Sequence, residues 1–169
     1  MIAELVMLVA LPLLLAAAAG WDLASFTIPN FLSLALLALF AVFALAAGLS
    51  LHAVGFHILA GLLGLVLGFG LFALGWIGGG DAKLFAAVAL WLGFSDLMAY
   101  ALLASLFGGF LTLALLAARA WPLPAFLARH AWILKLHDAR SGIPYGVALA
   151  AGAFLILPHT EIFKLAAGA

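Results

Sequence analysis

The sequence predicts an all-α, polytopic integral membrane protein with about six transmembrane helices. Apolar residues make up 70% of the 169 residues, charged residues make up only 7%, and the mean hydropathy is +1.41. These values lie far outside the range of soluble globular domains. Neither an internal repeat nor a separate domain is apparent along the chain. We therefore interpret residues 1–169 as a single membrane-embedded domain with nearly all of its length in lipid.

The first half of the chain contains three apolar runs that are long enough to span a membrane. A hydrocarbon core of roughly 30 Å requires about 20 helical residues. The runs are Ile2 to Gly20, Phe31 to Leu51 and Val54 to Ile77. The only charged side chain at the start of the first run is Glu4, and no Lys or Arg is present there, so we interpret this run as an uncleaved span rather than a secretory signal. In the third run, Gly64 and Gly68 form a small-x-x-x-small pair that lets a neighbouring helix approach closely.

The second half predicts three more spans, and the first of these is short. We interpret Gly93 to Asp96 as a turn between a fourth helix, Ala82 to Phe94, and a fifth, Leu97 to Ala118. Thirteen residues of helix measure only about 20 Å, so helix four either begins below the membrane surface or includes part of the turn segment. The sixth span is Ile143 to Leu157. Residues 119–142 combine tryptophan, proline and basic residues, a pattern typical of an amphipathic segment at the cytoplasmic interface.

The basic residues predict the orientation of the chain. With six spans, the loops at 21–30, 78–83 and 119–142 face one side, and they hold five of the six Lys and Arg residues. The positive-inside rule makes that side cytoplasmic. Both termini are then non-cytoplasmic, and the loops that carry Asp22 and Asp81 face the cytoplasm.

The composition argues against several classes of function. The net charge is zero, so the chain offers no basic face to nucleic acid. The absence of cysteine removes disulfides, thiol nucleophiles and cysteine ligands for zinc. The histidines are spaced by five (His52, His57) or seven (His130, His137), unlike the i, i+4 pair that binds zinc on a helix. We therefore expect no metal and no other cofactor.

Asp22 and Asp81 are the candidate chemical groups, because an ionisable side chain at bilayer depth costs several kcal/mol. Each has a structural explanation when taken alone, since aspartate caps helices and turns. As a pair on one side of the membrane they can do more. Two carboxyl groups held close together share a proton, so one acts as a base and the other as an acid. The base would take a proton from water as it attacks a peptide carbonyl, and the acid would protonate the leaving nitrogen.

Several residues near the aspartates are candidates for supporting roles. Gly78, Gly79 and Gly80 could adopt backbone conformations closed to other residues and let a substrate strand come near the carboxylate, or they could form a simple flexible turn. Lys83 could stabilise the charge of Asp81, or it could anchor helix four at the lipid headgroups.

The remaining candidates concern where helices begin. Pro29 and Pro144 are expected to set the starts of helices two and six, because proline is tolerated in a first turn. Asn30 is expected to cap helix two. Tyr145 could donate a hydrogen bond near the aspartates, but an interfacial anchor is the preferred interpretation.

Three motifs, in order, resemble those of the type IV prepilin peptidases, a family of aspartic membrane peptidases with a catalytic Gly-x-Gly-Asp motif. They are Asp22 followed after five residues by Ile28-Pro29-Asn30, then Gly78-x-Gly80-Asp81-x-Lys83, and finally Ile143-Pro144-Tyr145-Gly146. Together they span most of the chain. The resemblance implies that Asp22 and Asp81 form a catalytic dyad that cleaves prepilin leaders at the cytoplasmic face of the bacterial inner membrane, without a metal.

The size of the chain points to one branch of that family. Bifunctional members carry a cytoplasmic insertion with paired cysteines and also N-methylate the product, and this chain has neither feature. It resembles the short, peptidase-only branch that serves tight-adherence (Flp) pili. One departure is that members often have basic residues between the first aspartate and Ile-Pro-Asn, where this chain has Leu23-Ala24-Ser25-Phe26-Thr27.

Four alternatives compete with this interpretation. An ion-coupled transporter or channel subunit would use Asp22 and Asp81 as proton or cation sites, but repeated halves and midplane carboxylates are missing. A presenilin-type peptidase would show Tyr-Asp and Pro-Ala-Leu, where this chain has Trp21-Asp22 and Ile-Pro-Tyr-Gly. A serine protease lacks a Gly-x-Ser-x-Gly motif. A purely structural scaffold predicts that replacing either aspartate by asparagine is harmless.

Overall fold

A computed structural model describes residues 1–168, and helix is the only regular secondary structure among them. The helices are α1 (Ile2–Ser25), α2 (Asn30–Ala46), α3 (Leu51–Ala73), α4 (Gly79–Arg119), α5 (Ala131–His137), α6 (Tyr145–Ile156) and α7 (Glu161–Ala167). By length and apolarity α1, α3 and α4 could each cross a membrane, and α6 with α7 could form a fourth, bent span. The predicted all-α membrane class is confirmed, whereas the number of six spans stays a prediction.

Helix α4 is a hairpin of two antiparallel halves that reverses at Gly93. Gly93 has φ 68° and ψ −173°, the only non-helical backbone angles within α4. Phe85 and Tyr100 stack across the reversal with ring centroids 5.3 Å apart, whereas fifteen residues of straight helix would separate them by about 22 Å. The predicted break at Gly93 is therefore correct, but it takes one residue rather than four, because residues 94–96 are already helical.

Five of the predicted helix boundaries are wrong by several residues, among them the end of α3, which lies at Ala73 rather than Ile77. Helix α1 continues past Gly20 to Ser25, and α4 begins at Gly79 rather than Ala82. Helix α2 ends at Ala46 instead of Leu51, and α3 begins at Leu51 because the Ser50 hydroxyl accepts a hydrogen bond from the Ala53 N–H (3.1 Å). Residues 47–50, which form the turn, are mostly apolar, so their hydropathy does not distinguish them from the helices on either side.

The two prolines do mark helix starts, as predicted. Pro29 precedes the first residue of α2, and Pro144 precedes the first residue of α6. Both adopt backbone angles outside the helical region, which ends the preceding loop and leaves the next residue free to begin the helix. Helix α6 is correspondingly two residues shorter at its start than the predicted span from Ile143.

Helix α3 packs closely on the first half of α4 through its glycines, which confirms the role predicted for Gly64 and Gly68. A Cβ atom on Gly64 would lie 2.6 Å from the Cβ of Ala89, and one on Gly68 would lie 3.0 Å from the Cα of Ala82. The first distance is not sterically possible without movement, and the second is tighter than nearly all Cβ contacts. The helices can therefore approach this closely only because both positions lack a side chain.

Trp91 occupies the centre of the core between α2 and α4. It is 1% exposed, and its indole N–H donates to the Leu36 carbonyl (3.1 Å). Its ring packs against the rings of Phe40 and Phe43, with ring centroids 5.4 Å apart in both pairs. The single polar atom of this large side chain is thus satisfied in an apolar environment. This packing fixes the first half of α4, which carries Asp81 at its start.

The molecule has two chemically different ends. One end gathers the end of α1, the starts of α2, α4 and α6, and α5, and it contains the five basic residues in the sequence from Lys83 to Arg140. Helix α5 is tied to this end because Lys135 donates to the Ser25 carbonyl and Arg119 donates to the Leu136 and Gly142 carbonyls. The start of α1, the Gly93 reversal and α7 lie at the other end.

Candidate active site

Asp22 lies in the last turn of α1 and is almost completely buried, with 4% of its surface exposed. Its Oδ2 atom accepts a hydrogen bond of 2.7 Å from the N–H of Gly146, at the start of α6. The helix ends three residues later, at Ser25, and the next residue, Phe26, adopts left-handed angles and donates its N–H to the Asp22 carbonyl (2.7 Å). Asp22 is therefore a helical residue held by a second helix, not the turn residue that we predicted.

Asp81 lies in the first turn of α4 and is 7% exposed. Its Oδ2 atom accepts a hydrogen bond of 2.9 Å from the N–H of Gly78, just before the helix. This bond caps the start of the helix. It agrees with the structural explanation given for a single aspartate, which is that it caps a helix. It uses only one oxygen, however, and Oδ1 is buried without a hydrogen-bond partner. Capping alone leaves that second oxygen unexplained.

The structure brings Asp22 and Asp81 together from positions 59 residues apart in the sequence. Both carboxyl groups lie beside the Gly146 N–H, and they are close enough for the charge of Asp22 to act on Asp81. Three helices meet at this point: α1 by its end, and α4 and α6 by their starts. The partial positive charge of two helix starts favours negative charge there.

Glycine serves this site by the space that it leaves, not by unusual backbone angles. Gly78 has ordinary extended angles (φ −74°, ψ 154°), and Gly79 and Gly80 are helical with negative φ. The predicted special conformations of these three residues are therefore wrong. A Cβ on Gly80 would instead lie 3.0 Å from the Cβ of Ile28, and one on Gly146 would lie 2.9 Å from Asp22 Oδ2. Because neither glycine has a side chain, Ile28 can lie directly against the backbone of Gly80, and Asp22 against the backbone of Gly146.

Lys83 and Asn30 bind each other at the edge of the site. The Lys83 ammonium donates a hydrogen bond of 2.8 Å to Asn30 Oδ1. This bond joins the start of α2 to the start of α4. The prediction that Asn30 caps α2 is wrong, because Asn30 is the first helical residue and its side chain makes no cap bond. The ammonium of Lys83 thus binds a neutral amide, and its predicted roles, toward the charge of Asp81 or toward the lipid headgroups, stay predictions.

The side chain of Tyr145 packs against the second half of α4. Its ring lies directly over Gly108 of α4, where any Cβ atom would overlap the ring, and its hydroxyl donates to the Ala104 carbonyl at 3.4 Å. The contact fixes the start of α6 against the second half of α4. Tyr145 therefore lies near the aspartates with its hydroxyl directed at backbone of α4.

Tyr100 is a buried polar residue near the site that the sequence analysis missed. Its side chain is fully buried, its hydroxyl has no hydrogen-bond partner, and its neighbours include Asp81 and Tyr145. It belongs to the second half of α4 and reaches the site only because the chain reverses at Gly93. No sequence signal short of that reversal could have identified it.

Within residues 1–168, no group of three or more His, Asp or Glu side chains could hold a metal ion.

The comparison with protein families identifies the chain. Residues 9–113 match the model of the type IV leader peptidase family, and this region is more than half of the chain and contains both aspartates. The chain belongs to the type IV leader peptidase family. The comparisons with curated proteins and with solved structures give no match.

Membership in the type IV leader peptidase family confirms the resemblance to prepilin peptidases. The protein is thus a peptidase associated with a membrane and its substrate is a prepilin. A transporter or channel function gains no support from this family. The matched region ends before Ile143-Pro144-Tyr145-Gly146, so the third motif of this leader peptidase rests on its sequence and on the hydrogen bond from Gly146 to Asp22.

Proposed function

We propose that this leader peptidase is an aspartic endopeptidase in which Asp22 and Asp81 form the catalytic dyad. One observation carries the proposal: two carboxyl groups, each more than nine-tenths buried, lie together at one end of a chain with very few charged residues. Burying two neighbouring carboxyl groups is costly unless they share a proton. A structural role would not require a pair with an unbound oxygen.

In the proposed mechanism, the two carboxyl groups hold one proton between them. The ionised carboxylate takes a proton from water, and the resulting hydroxide attacks the carbonyl carbon of the scissile peptide bond. The protonated carboxyl group donates a hydrogen bond to the carbonyl oxygen and then its proton to the leaving nitrogen. The carbon–nitrogen bond breaks, and one water has been added across it. The N–H groups of Gly78 and Gly146 keep the two side chains in position.

The proposed substrate is the leader of a Flp-type prepilin, cut at the cytoplasmic face of the inner membrane. The chain lacks cysteine, and within residues 1–168 the segments between helices are short, as expected for the peptidase-only branch. The basic residues at the aspartate end support a cytoplasmic location by the positive-inside rule. The multi-pass topology with six spans belongs to the same proposal.

The test is cleavage of a co-expressed Flp prepilin by Asp22→Asn and Asp81→Asn variants in membranes. Each substitution keeps the size and the hydrogen-bond acceptor of the side chain but removes its acid–base chemistry. Each is expected to reduce leader cleavage by at least about 10³-fold, the upper part of the range for loss of a general acid or base. Processing is read from the mass of the mature prepilin.

Asp96→Asn is the matched control, because Asp96 lies at the opposite end of the molecule beside the Gly93 reversal. This variant is expected to cleave like the natural chain. All three proteins are compared for yield and thermal stability in detergent. Normal cleavage by a folded Asp22→Asn or Asp81→Asn variant would exclude the dyad. Cleavage of other prepilins but not of a Flp prepilin would retain the dyad and reject the proposed branch.

A further inference from the structure

Tyrosine is rare in this chain, and both tyrosines lie near the aspartates. The sequence has 14 phenylalanines but only two tyrosines, Tyr100 and Tyr145. Each is close enough to Asp81 for the charge of that carboxyl group to act on its hydroxyl. The Tyr145 hydroxyl donates to the Ala104 carbonyl, which accounts for it. The Tyr100 hydroxyl has no such bond, and the proposed mechanism does not use it.

Helix geometry explains why Tyr100 lies near Asp81. Asp81 and Phe85 are four residues apart in the first half of α4, so they lie on one face of the helix, about one turn apart. The Phe85 ring is stacked on the Tyr100 ring of the second half, with centroids 5.3 Å apart and ring planes inclined by 17°. The Tyr100 ring therefore packs against the face of α4 that carries Asp81.

Both residues contain a buried oxygen without a hydrogen-bond partner. Within residues 1–168 only three buried side-chain oxygens are unpaired, and two of them are Asp81 Oδ1 and the Tyr100 hydroxyl. An unpaired buried polar group is destabilising, and an apolar group of the same shape avoids that cost. Phenylalanine would keep the ring of Tyr100 without its hydroxyl. The hydroxyl is therefore not explained by packing.

We propose that Tyr100 is a positioning residue of the dyad, whose hydroxyl is joined to Asp81 Oδ1 by one water molecule that bonds to both. This inference rests on the proposed function of Asp22 and Asp81. Buried waters typically link polar groups that would otherwise be unpaired. A phenol and a water each donate and accept hydrogen bonds, so the link persists whether or not Asp81 carries the shared proton. The Gly78 N–H holds Oδ2, and Tyr100 holds Oδ1, so the carboxyl group keeps its orientation during the reaction.

The first test removes the hydroxyl alone. Tyr100→Phe keeps the ring that stacks on Phe85. We expect kcat for leader cleavage to fall about 10- to 100-fold, as for the loss of one hydrogen bond to a charged group. KM should be unchanged, because Tyr100 acts on the carboxyl group and not on the substrate.

Thr112→Val is the matched control, because it removes a hydroxyl from the same half of α4. The Thr112 hydroxyl donates only to the Gly108 carbonyl of its own helix, so this variant should cleave at the natural rate. A natural kcat in Tyr100→Phe would overturn the inference while leaving the dyad intact, whereas failure of the dyad would appear as normal cleavage by the aspartate variants. A large fall in the thermal midpoint of Tyr100→Phe would show that the hydroxyl supports the fold, and would also overturn the inference.

A second test measures the link between the two side chains without measuring cleavage. Thermal midpoints in detergent are compared for the natural chain, Tyr100→Phe, Asp81→Ala and the double variant. Groups that share a hydrogen-bond network give non-additive effects, whereas independent groups give additive ones. We expect the midpoint shift of the double variant to differ from the sum of the two single shifts. The same cycle with Thr112→Val in place of Tyr100→Phe should be additive. Additive shifts for Tyr100→Phe and Asp81→Ala would overturn the inference.

Discussion

Each aspartate at the candidate site uses one oxygen to hold its position. Asp22 Oδ2 accepts from Gly146 and Asp81 Oδ2 accepts from Gly78. Hydrogen bonds to charged groups contribute about 1.5–3 kcal/mol, enough to restrict each carboxyl group to one orientation. The Asp81 oxygen that remains is buried and unbound. In the proposed mechanism it is the oxygen that would bind a water molecule or, when protonated, a substrate carbonyl.

Gly146 provides the first prediction at this scale. In Gly146→Ala the new methyl group would lie 2.9 Å from Asp22 Oδ2 and 2.7 Å from the Ile28 side chain, so the Asp22 carboxyl group must shift. A displacement of about 1 Å at a catalytic group costs on the order of 10²-fold in rate. We expect that loss in kcat for leader cleavage.

Gly109→Ala is the control for this prediction, because a Cβ on Gly109 would meet no atom within 4 Å. It should cleave at the natural rate. Equal activity of Gly146→Ala and Gly109→Ala would show that the contact between Gly146 and Asp22 has no part in cleavage.

The sequence predicted the identity of the residues at this site better than their contacts. Asp22 and Asp81 stand out because charges are rare in the chain. The space around Gly80 and Gly146 depends on Ile28 and Asp22, which come from distant parts of the chain. The bond between Lys83 and Asn30 likewise joins residues that are 53 positions apart. Such contacts are set by tertiary packing, which local patterns do not encode.

At the scale of helices, the close contact of α3 with the first half of α4 positions Asp81. Gly64 and Gly68 lie against Ala89 and Ala82, so α4 is held along most of its first half. In lipid, helices associate through such close van der Waals packing rather than through the hydrophobic effect. The position of Asp81 therefore depends on residues of another helix that do not contact it.

Two glycines of α3 give a matched pair for testing this contact. Gly64→Ala is expected to destabilise the protein by about 1–3 kcal/mol, the usual cost of overpacking, because its methyl group would meet Ala89 at 2.6 Å. Gly70→Ala should stabilise it by about 0.5–1 kcal/mol, the usual gain over glycine in a helix, since a Cβ there meets nothing within 4 Å. Unfolding in detergent measures both. Equal effects of the two substitutions would contradict close packing at Gly64.

Helix existence was predictable here, and helix ends were less so. Pro29, Pro144 and Gly93 marked starts or breaks correctly because proline and glycine restrict or free the backbone by themselves. The ends of α1 and α2 were misplaced because Phe26 and residues 47–50 are mostly apolar and continue the hydropathy of the helices. Their turns are made by backbone hydrogen bonds, such as Phe26 to the Asp22 carbonyl, which leave no sign in composition.

At the scale of the whole molecule, the charge distribution defines an axis. The aspartates and most basic residues lie at one end, while Asp96, Glu161 and Lys164 lie near one another at the other end. This separation is what the sequence predicted from loops alone. That the two ends face opposite sides of the membrane stays a prediction.

Cysteine labelling tests the predicted orientation directly, because the natural chain has no cysteine. We expect His52→Cys, at the end opposite the aspartates, to react with a membrane-impermeant maleimide in intact spheroplasts. Ala125→Cys, exposed in the segment between α4 and α5, should react only after lysis. The reverse pattern would place the aspartates outside the cell and would reject cleavage at the cytoplasmic face.

The reversal at Gly93 has a consequence for the surrounding lipid. The first half of α4 is only about 21 Å long, whereas the hydrocarbon layer is about 30 Å thick. In the proposed six-span topology its two ends cannot both reach the headgroups, and local thinning of the bilayer is one way in which such a mismatch is relieved. Thinning of the bilayer around this short helix would bring bulk water closer to the carboxyl groups. The surrounding lipid would then help to supply the water that hydrolysis needs.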